Sequence, residues 1–325
     1  MINLKPTVLC DTGSGSIKAG FAGDTLPRLV LPTLVGDPTV AAQDLGLGNA
    51  TLVCDEAHKN RAYLDLCRPI QNGVVHDWDA LEKCWDCVFG RLAGKNRQLQ
   101  ASEHYVLQTE AVLTPPQQRE KMCEYMFERY GFAGCNVSVS ANLALHARSL
   151  DTGLVVDVGD GTTSIVPVCS GMVEPSHVMK LNIGGAAVTN MLMNLFIRSG
   201  HFLDPATDFE TIAEVKEKFC YVCADPKRET KYARDTTCLE IDFSMPDGKV
   251  LSFGQERFLA PEVLFRPSLL DSIDEGKGLP EVVFDSIMKS PIDFRKTLFN
   301  SVVISGGSSM FPGYTFMFLV PTFQF

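Results

Sequence analysis

The stretch that decides the fold is Asp11-Thr12-Gly13-Ser14-Gly15-Ser16. Its pattern is repeated in the other half of the chain by Asp157-Val158-Gly159-Asp160-Gly161-Thr162. Each stretch follows an apolar run typical of a buried strand, places a carboxylate at the strand end and continues with two glycines. A single Asp-x-Gly-x-Gly is merely what a β-turn looks like. Two copies in matching contexts predict an α/β chain built of two similar halves, each with a tight hairpin.

The two hairpins also have the composition of a phosphate site. Glycine tolerates positive φ, and without a Cβ it lets backbone N–H groups approach a phosphate closely. Two such hairpins facing each other could clamp a polyphosphate from both sides. Asp11 and Asp157 would then hold a hydrated divalent cation, which prefers oxygen ligands and keeps several waters. Lys18 lies just past the first hairpin, where it could reach the β- or γ-phosphate.

Other nucleotide-binding motifs fit the chain poorly. No Gly-x-Gly-x-x-Gly opens a helix after a strand, and residues 90–95 are one residue short of a P-loop. A third glycine turn, Ser305-Gly306-Gly307-Ser308-Ser309-Met310-Phe311, follows a late apolar run. Taken alone, this turn is equally compatible with a helix entry and with a ligand contact. Lys216 and Glu217, read without further context, are expected to be solvated surface charges.

Bulk properties limit the classes of protein that remain. With 325 residues, the chain is long enough for two domains with sizeable cores. Its formal net charge of -10 argues against broad binding to nucleic acid or to anionic membrane. The start resembles no secretory signal, and no apolar run approaches the ~18 residues that a membrane span needs. We therefore predict a protein without a membrane span.

Cysteine usage indicates a reducing compartment. The eleven cysteines are scattered and odd in number, which suits free thiols in the cytosol or nucleus. Two Cys-x-x-Cys pairs occur, Cys84/Cys87 and Cys220/Cys223. They lie far apart and within helix-like segments, unlike a compact zinc ribbon. We expect buried structural thiols rather than a metal site.

The order of apolar runs and amphipathic stretches along the chain predicts alternating strands and helices. Strands are predicted at 7–10, 136–139, 154–156, 165–168 and 301–304. A helix is predicted over 119–130 after Thr114 as its cap, with Met122, Met126 and Tyr130 on one face. A short helix is predicted over 141–148.

The second half shows two further local signals. Asp208 is predicted to cap a helix that runs to about residue 221 and buries Ile212, Val215 and Phe219. Pro246-Asp247-Gly248-Lys249 is predicted to form a hairpin turn.

The duplicated hairpins and the late Gly-Gly turn resemble the superfamily of actin, the Hsp70 ATPase domain and sugar kinases. Longer strings narrow this resemblance to the actin family, and the likeness covers nearly everything from Thr7 to Gly313. These strings are Thr109-Glu110-Ala111, Arg119-Glu120-Lys121-Met122, Lys216-Glu217-Lys218-Phe219-Cys220-Tyr221-Val222, Pro246-Asp247-Gly248, Glu256-Arg257-Phe258, Pro261-Glu262-Val263-Leu264-Phe265 and residues 305–313.

Within the family, three short strings indicate one group of actin-related proteins rather than conventional actin. They are Ala206-Thr207-Asp208-Phe209-Glu210-Thr211, Tyr130-Gly131-Phe132-Ala133-Gly134 and Asp235-Thr236-Thr237. This group works in a seven-subunit assembly that starts a new actin filament on the side of an existing one. The resemblance implies actin-related protein 3, the small subunits of that branching complex and actin filaments as partners. It implies a cytoplasmic, cytoskeletal location, with the nucleus as an alternative.

The resemblance also implies ATP and Mg²⁺ as cofactors, at the bottom of a central cleft. The residues implied to contact the phosphates and the metal are Asp11, Thr12, Gly13, Ser14, Gly15, Lys18, Asp157, Gly159, Asp160 and Gly161, with Asp11 and Asp157 reaching the metal through waters. Gly185 would lie near the ribose. Lys216, Glu217, Gly307, Met310 and Phe311 would line the adenine pocket, which reverses the surface-charge expectation for Lys216 and Glu217.

The implied domain organisation is a duplicated actin-like fold. A first domain would cover 1–140, with 33–69 as its small subdomain. A second would cover 141–313, with 182–260 as its small subdomain, followed by a divergent tail at 314–325. This tail has four phenylalanines and no charge, and the likeness stops before it. We therefore expect a truncated C-terminal part. If the chain ends at Phe325, the first domain would have uncovered apolar surface.

Departures from the family pattern bear on hydrolysis and on ribose contacts. Ser140 stands where the family usually has a glutamine that positions the attacking water, and Ser164 stands where it usually has a histidine. A serine is too short to orient a water at the same place, so in-line attack on the γ-phosphate should lose positioning. Asp157 is the residue to which a catalytic role is assigned. Ala186 and Ala187 replace the usual Arg-Asp pair, which weakens ribose contacts. We predict at most a weak ATPase that binds ATP better than it hydrolyses it.

Several other functions remain open alternatives at this point. A sugar kinase needs an acceptor pocket with a carboxylate base, which no motif marks, and an Hsp70-like chaperone needs a further domain. A divergent, self-polymerising actin is nearer, but residues 40–48 occupy the family's outer contact loop and include the polar Gln43 and Asp44. A subunit of a nuclear chromatin-remodelling complex is the other alternative.

Overall fold

A computed structural model describes residues 5–40, 50–94, 99–205, 207–270 and 277–322, with 319–322 described for the backbone alone. The chain divides into two compact units, Met1–Leu150 and Asp151–Phe325. Most of the predicted outer contact loop at 40–48 lies outside the described residues. The predicted subdomain limits remain predictions.

The strands are short and occur in both units. They are β1 (Val8–Thr12), β2 (Ser16–Phe21), β3 (Leu29–Pro32), β4 (Val35–Pro38), β5 (Leu52–Val53), β6 (Leu64–Cys67), β7 (Ile70–Gln71), β8 (Val74–Val75), β9 (Tyr105–Glu110), β10 (Gly134–Val139), β11 (Gly153–Val158), β12 (Thr163–Cys169), β13 (Met172–Val173), β14 (Met179–Leu181), β15 (Ile241–Ser244), β16 (Val250–Phe253) and β17 (Val302–Ser305).

Helices connect these strands. The α-helices are α1 (Cys54–Lys59), α2 (Trp78–Leu92), α3 (Pro116–Glu124), α4 (Ser140–His146), α5 (Gly185–Arg198), α6 (Phe209–Phe219), α7 (Pro226–Asp235), α8 (Glu256–Leu259), α9 (Leu279–Lys289), α10 (Ile292–Asn300) and α11 (Tyr314–Thr322). A π-helical turn, Tyr125–Arg129, extends α3. Short 3₁₀ helices lie at Arg61–Tyr63, Ala101–Glu103, Pro175–His177, Pro261–Leu264, Pro267–Leu269 and Gly307–Met310.

Unit 1 is built on a five-stranded sheet in the order β10-β9-β1-β2-β3. β1 and β2 form an antiparallel hairpin, and β9 runs parallel to β1. Side chains alternate across the sheet, so Val8 and Cys10 are buried with Trp85 of α2 in one core. Leu9 and Tyr105, on the other face of the sheet, are 37% and 45% exposed. Apolar side chains are therefore exposed on one face of this sheet.

Unit 2 repeats this arrangement with different strands. Its main sheet has the order β13-β12-β11-β17, with β14 also paired to β12. β11 is antiparallel to β12 and parallel to β17, as β1 is to β2 and β9. The apolar run at 154–156 is fully buried, and Leu154 and Val156 share one core with side chains of α5 and α9. The two units thus share the hairpin and the parallel neighbour strand beside it.

Most predicted elements are found, and the differences have local causes. The turn at 246–249 joins β15 to β16, and Gly248 takes a φ of +86° there. The predicted helix over 119–130 is formed by α3 and the π-helical turn, with Met122 and Met126 buried. The late strand β17 is half-buried rather than buried.

The sequence predicts Thr114 and Asp208 as helix caps, but neither side chain accepts a hydrogen bond from the first turn of its helix. The Thr114 hydroxyl donates to the carbonyl of Ala111 at 2.6 Å, and α3 begins two residues later, at Pro116. Two consecutive prolines favour extended backbone before the helix, which moves its start. Asp208 occupies the N-cap position of α6, but its carboxylate accepts from the N–H of Asp204 at 2.9 Å.

The segment predicted as a separate tail begins with a packed helix. Tyr314 and Phe318 of α11 are fully buried in the unit 2 core, and their rings stack with centroids 6.4 Å apart. The Tyr314 ring also lies 5.2 Å from that of Phe265. These contacts make at least the first turn of α11 part of the second unit.

The Cys-x-x-Cys pairs differ in their surroundings. Cys84 and Cys87 both lie on α2, as predicted, whereas Cys220 and Cys223 follow the end of α6. Three of the four are buried, Cys87 is half-buried, and all four thiols are free. Within the described residues, no group of three or more His, Cys, Asp or Glu side chains could hold a metal ion. In the same residues we find no helix with the length and apolar character of a membrane span.

We expect Glu262→Gln to stabilise unit 2 at neutral pH. The Glu262 side chain is 3% exposed, neither carboxylate oxygen has a hydrogen bond from a described residue, and Arg266 approaches only to 3.7 Å. Burial raises the pKa of Glu262 above its usual 4.5. At a pH between the pKa of Glu262 in the unfolded chain and its higher pKa in the folded chain, folding takes up a proton. The free energy of unfolding of the wild type therefore falls as the pH rises through this range. The variant does not titrate.

The measurement is thermal unfolding of both proteins by circular dichroism from pH 4 to pH 8. The variant should gain about 1 kcal/mol at pH 7, with the gain shrinking toward pH 4. A gain that grows toward acid pH would contradict the assignment.

Candidate functional site

The first hairpin is held in shape by close backbone contacts that favour glycine. The N–H of Gly13 donates to the carbonyl of Ser16 at 3.1 Å, and a Cβ on Gly13 would lie 3.0 Å from that oxygen. Buried Thr33 secures the hairpin from β3's end, because its hydroxyl donates to the Gly13 carbonyl at 2.7 Å. Its N–H donates to the Gly15 carbonyl at 3.1 Å. Ser14 lies in the same turn, half-buried.

The carboxylate of Asp11 lies beside this hairpin with a partner on each oxygen. Lys18 Nζ lies 3.2 Å from Oδ2, and the Thr109 hydroxyl donates to Oδ1 at 2.5 Å. The two charged side chains are 42% and 47% exposed, so a ligand could reach both. A partly exposed carboxylate beside an ammonium group suits a phosphate with its hydrated cation.

Thr12 points away from solvent, unlike its neighbours. Its hydroxyl accepts from Trp85 Nε1 at 3.2 Å and donates to Gln108 Oε1 at 3.2 Å. Trp85 and Gln108 are fully buried. The side chain of Thr12 therefore anchors the hairpin to the core, and any contact of this residue with a ligand would come from its backbone.

The second hairpin has the same backbone geometry as the first. The N–H of Gly159 donates to the carbonyl of Thr162 at 2.9 Å, and a Cβ on Gly159 would lie 3.2 Å from that oxygen. Asp157, half-buried at the same position of its strand as Asp11, accepts from the Ser305 hydroxyl at 2.9 Å through Oδ1. Gly161 is half-buried in the same turn.

The third glycine turn packs directly onto this hairpin. Gly306 has a φ of +90°, and a Cβ there would lie 2.2 Å from the carbonyl oxygen of Val158. The hydroxyl of buried Ser308 donates to the Gly159 carbonyl at 2.8 Å. The turn leads into the 3₁₀ helix Gly307–Met310, so it is a helix entry that also supports the hairpin.

The N-terminus of α5 docks on the same hairpin from another direction. The N–H of Gly185 donates to the Gly159 carbonyl at 3.0 Å, and that of Ala186 donates to the Asp160 carbonyl at 2.9 Å. A Cβ on Gly185 would lie 2.8 Å from both Asp160 Oδ1 and Ser308 Oγ. No side chain fits at position 185 without displacing these groups.

Lys216 belongs to this cluster and is not a solvated charge. It is 5% exposed, its Nζ donates to the Gly185 carbonyl at 3.1 Å, and Asp160 Oδ1 lies 4.0 Å away. Glu217, the next residue, is exposed, as the pattern of a surface helix predicts. Unit 2 therefore brings together Asp160, Gly185, Lys216 and Ser308.

The remaining predicted residues show a range of exposure. Met310 is 80% exposed, Gly307 is exposed and Phe311 is half-buried. Ser140 is the half-buried first residue of α4. Ser164 is 6% exposed and pairs with Asp157 across the β11–β12 ladder.

The contacts of both hairpins depend on residues that motif reasoning missed. Thr33, Gln108 and Ser308 have uncharged polar side chains that are buried next to a glycine turn or its anchor. Their signal in the sequence is weak, because serine, threonine and glutamine are common and their partners are distant in the chain.

Comparison with known proteins finds similar sequences along nearly the whole chain. A model of the actin family matches residues 3–316, three residues beyond the predicted end of the likeness at Gly313. Actin-related protein 2 of Arabidopsis thaliana is 40% identical over 312 residues, which cover 95% of this chain and 79% of that relative. The Saccharomyces cerevisiae protein of the same name is 40% identical over 310 residues, 94% of this chain and 78% of its own. That of Acanthamoeba castellanii is 39% identical over 317 residues, 96% and 80% respectively.

These matches confirm the resemblance inferred from the hairpins and the longer strings. The group indicated by the three short strings is the one whose members are named actin-related protein 2, and the relatives confirm it. The α/β, actin-like fold class is confirmed as well. The chain belongs to the actin family, as an actin-related protein.

Proposed function

We propose that this chain is an ATP-binding structural subunit of a complex that nucleates branched actin filaments. The observation that carries the proposal is the repeated hairpin, with its Gly-to-carbonyl hydrogen bond of 3.1 Å in unit 1 and 2.9 Å in unit 2. In each hairpin a Cβ on the glycine would crowd a backbone carbonyl oxygen, at 3.0 Å in unit 1 and 3.2 Å in unit 2, and an aspartate precedes the glycine at the strand end. The shared name of the relatives supports the branching role.

Both hairpins would contribute backbone amides to the phosphates, and Lys18 would add a charge. Asp11 and Asp157 would hold Mg²⁺ through its waters. The cation, when bound, neutralises charge on the phosphate oxygens. Gly185 would face the ribose, and Lys216, Glu217, Gly307, Met310 and Phe311 would face the adenine.

Hydrolysis is expected to be weak. Orienting a water for in-line attack needs a side chain that reaches it, and a serine hydroxyl lies within about two bonds of the backbone. Ser140 and Ser164 therefore leave the water without the usual partners. The protein would serve mainly as an ATP-dependent structural component of the cytoplasmic cytoskeleton.

Native purification of the endogenous protein from its own cells tests the branching role. Mass spectrometry should recover actin-related protein 3 and small subunits together with this chain. Recovery without partners, or with chromatin-remodelling subunits alone, would overturn the branching role and favour a divergent actin or a nuclear subunit.

The same preparation tests the nucleotide proposal. Bound nucleotide is released by acid and separated by chromatography, and added ATP is followed for hydrolysis. We expect bound ATP with slow turnover. A preparation that never binds ATP contradicts the nucleotide site, whereas hydrolysis as fast as that of conventional actin contradicts only the effect assigned to Ser140 and Ser164.

A further inference from the structure

Each of the two aspartates accepts a hydrogen bond from a hydroxyl at an equivalent position in its own unit. The Thr109 hydroxyl donates to Asp11 Oδ1 at 2.5 Å, and the Ser305 hydroxyl donates to Asp157 Oδ1 at 2.9 Å. In both units the hydroxyl lies on the strand that runs parallel to the hairpin strand, β9 in one and β17 in the other. The register places Ser305 directly opposite Asp157. In unit 1 Cys10 pairs with Gln108, so the next residues along the two strands, Asp11 and Thr109, also lie opposite each other.

A hydroxyl has one proton, so donating it to a carboxylate fixes the orientation of both groups. The terminal torsion of an aspartate is otherwise broad. One oxygen held by a hydroxyl leaves the second at a defined position. In Asp11 this second oxygen lies 3.2 Å from Lys18 Nζ, in a side chain that is 42% exposed. Such a held oxygen is suited to accepting a hydrogen bond from a cation's water.

We propose that Thr109 and Ser305 are positioning residues, which orient Asp11 and Asp157 toward the water shell of a divalent cation. This role rests on the proposed nucleotide function. It adds two residues to the site that are not among those proposed to contact the phosphates, the ribose or the adenine. Partners that orient metal-binding groups commonly change metal affinity by about tenfold or more. A purely structural hydroxyl would change stability without changing the response to the cation.

Another pair in unit 2 provides a matched control. The Ser252 hydroxyl donates to Asp242 Oδ1 at 2.6 Å, across the β15–β16 ladder. It is the same type of hydrogen bond between neighbouring strands, but neither residue belongs to the proposed site. Ser252→Ala therefore removes a comparable hydrogen bond from the same unit.

The test uses the full chain and a fluorescent ATP analogue. Its affinity is measured with Mg²⁺ and again with EDTA, for Thr109→Val, Ser305→Ala and Ser252→Ala. We expect the first two variants to lose about tenfold in affinity with Mg²⁺ and to match the wild type in EDTA. Thr109→Ser and Ser305→Thr keep the hydroxyl and should restore the Mg²⁺ effect. Ser252→Ala should bind as the wild type does.

The outcomes separate the inference from the proposed function. Equal losses with and without Mg²⁺, or no loss at all, would overturn the positioning role while leaving nucleotide binding intact. A wild type that binds the analogue under neither condition would overturn both. If Thr109→Val does not fold, Ser305→Ala makes the same test in the other unit.

Discussion

Gly306→Ala is expected to destabilise unit 2 by about 3 kcal/mol or more. A side chain at φ +90° costs about 1–2 kcal/mol for an L-residue. The added Cβ would also lie 2.2 Å from the carbonyl oxygen of Val158, which is backbone and cannot rotate away. Overpacking of this kind costs a further 1–3 kcal/mol or so. Because Gly306 lies against the second hairpin, the hairpin should shift as well.

Gly307→Ala is the matched control for this variant. Among the described residues other than its chain neighbours, no atom lies within 4 Å of a Cβ built on Gly307, and its φ is outside the left-handed region. The two substitutions are chemically identical and one residue apart. We expect the control to change the free energy of unfolding by no more than about 0.5 kcal/mol.

The measurement has to report on unit 2. Both tryptophans of the chain, Trp78 and Trp85, lie in unit 1, so their fluorescence follows the unfolding of that unit. Hydrogen exchange of peptides that cover β11 and β12 follows unit 2 directly. Faster exchange there in Gly306→Ala, with unchanged tryptophan fluorescence, is the expected result. Equal exchange in both variants would show that the turn relaxes without cost.

The sequence predicts the hairpins because their constraint is local. Gly13 and Gly159 lie where the N–H of one residue meets the carbonyl three residues later, and glycine is favoured there because a Cβ would crowd that carbonyl oxygen. This preference leaves a readable spacing of aspartate and glycine. The repeat of that spacing identifies the duplication, and the burial of apolar strands such as 154–156 follows from their composition.

The supporting contacts escape prediction because they are not local. Ser308 and Gly159 are 149 residues apart, and Thr109 and Asp11 are 98 apart, so their pairing depends on the order of the strands. Lys216 shows the same limit, because a lysine on an amphipathic helix reads as solvated. Only the family resemblance implied a pocket position for Lys216, and in the structure the Gly185 carbonyl of α5 accepts from its ammonium group.

Arg119→Met is the second variant with a large expected effect. The Glu110 side chain, adjacent to Thr109 at the end of β9, is 3% exposed and pairs with Arg119 through both oxygens. Arg119 Nε donates to Oε2 at 3.0 Å. Removing the guanidinium leaves a buried carboxylate without this partner, which costs about 3 kcal/mol. Tryptophan fluorescence during urea unfolding measures the loss, because the pair lies in unit 1.

Two companion variants decide whether burial is the cause. Arg28→Met breaks a bidentate pair with Asp24 on the surface of the same unit, where water solvates the remaining carboxylate. Its unfolding midpoint should stay close to that of the wild type. In Arg119→Met/Glu110→Leu no buried charge remains, so most of the lost stability should return. If the double variant were as unstable as Arg119→Met, the loss would come from packing of the arginine stem, and the buried carboxylate would not be its cause.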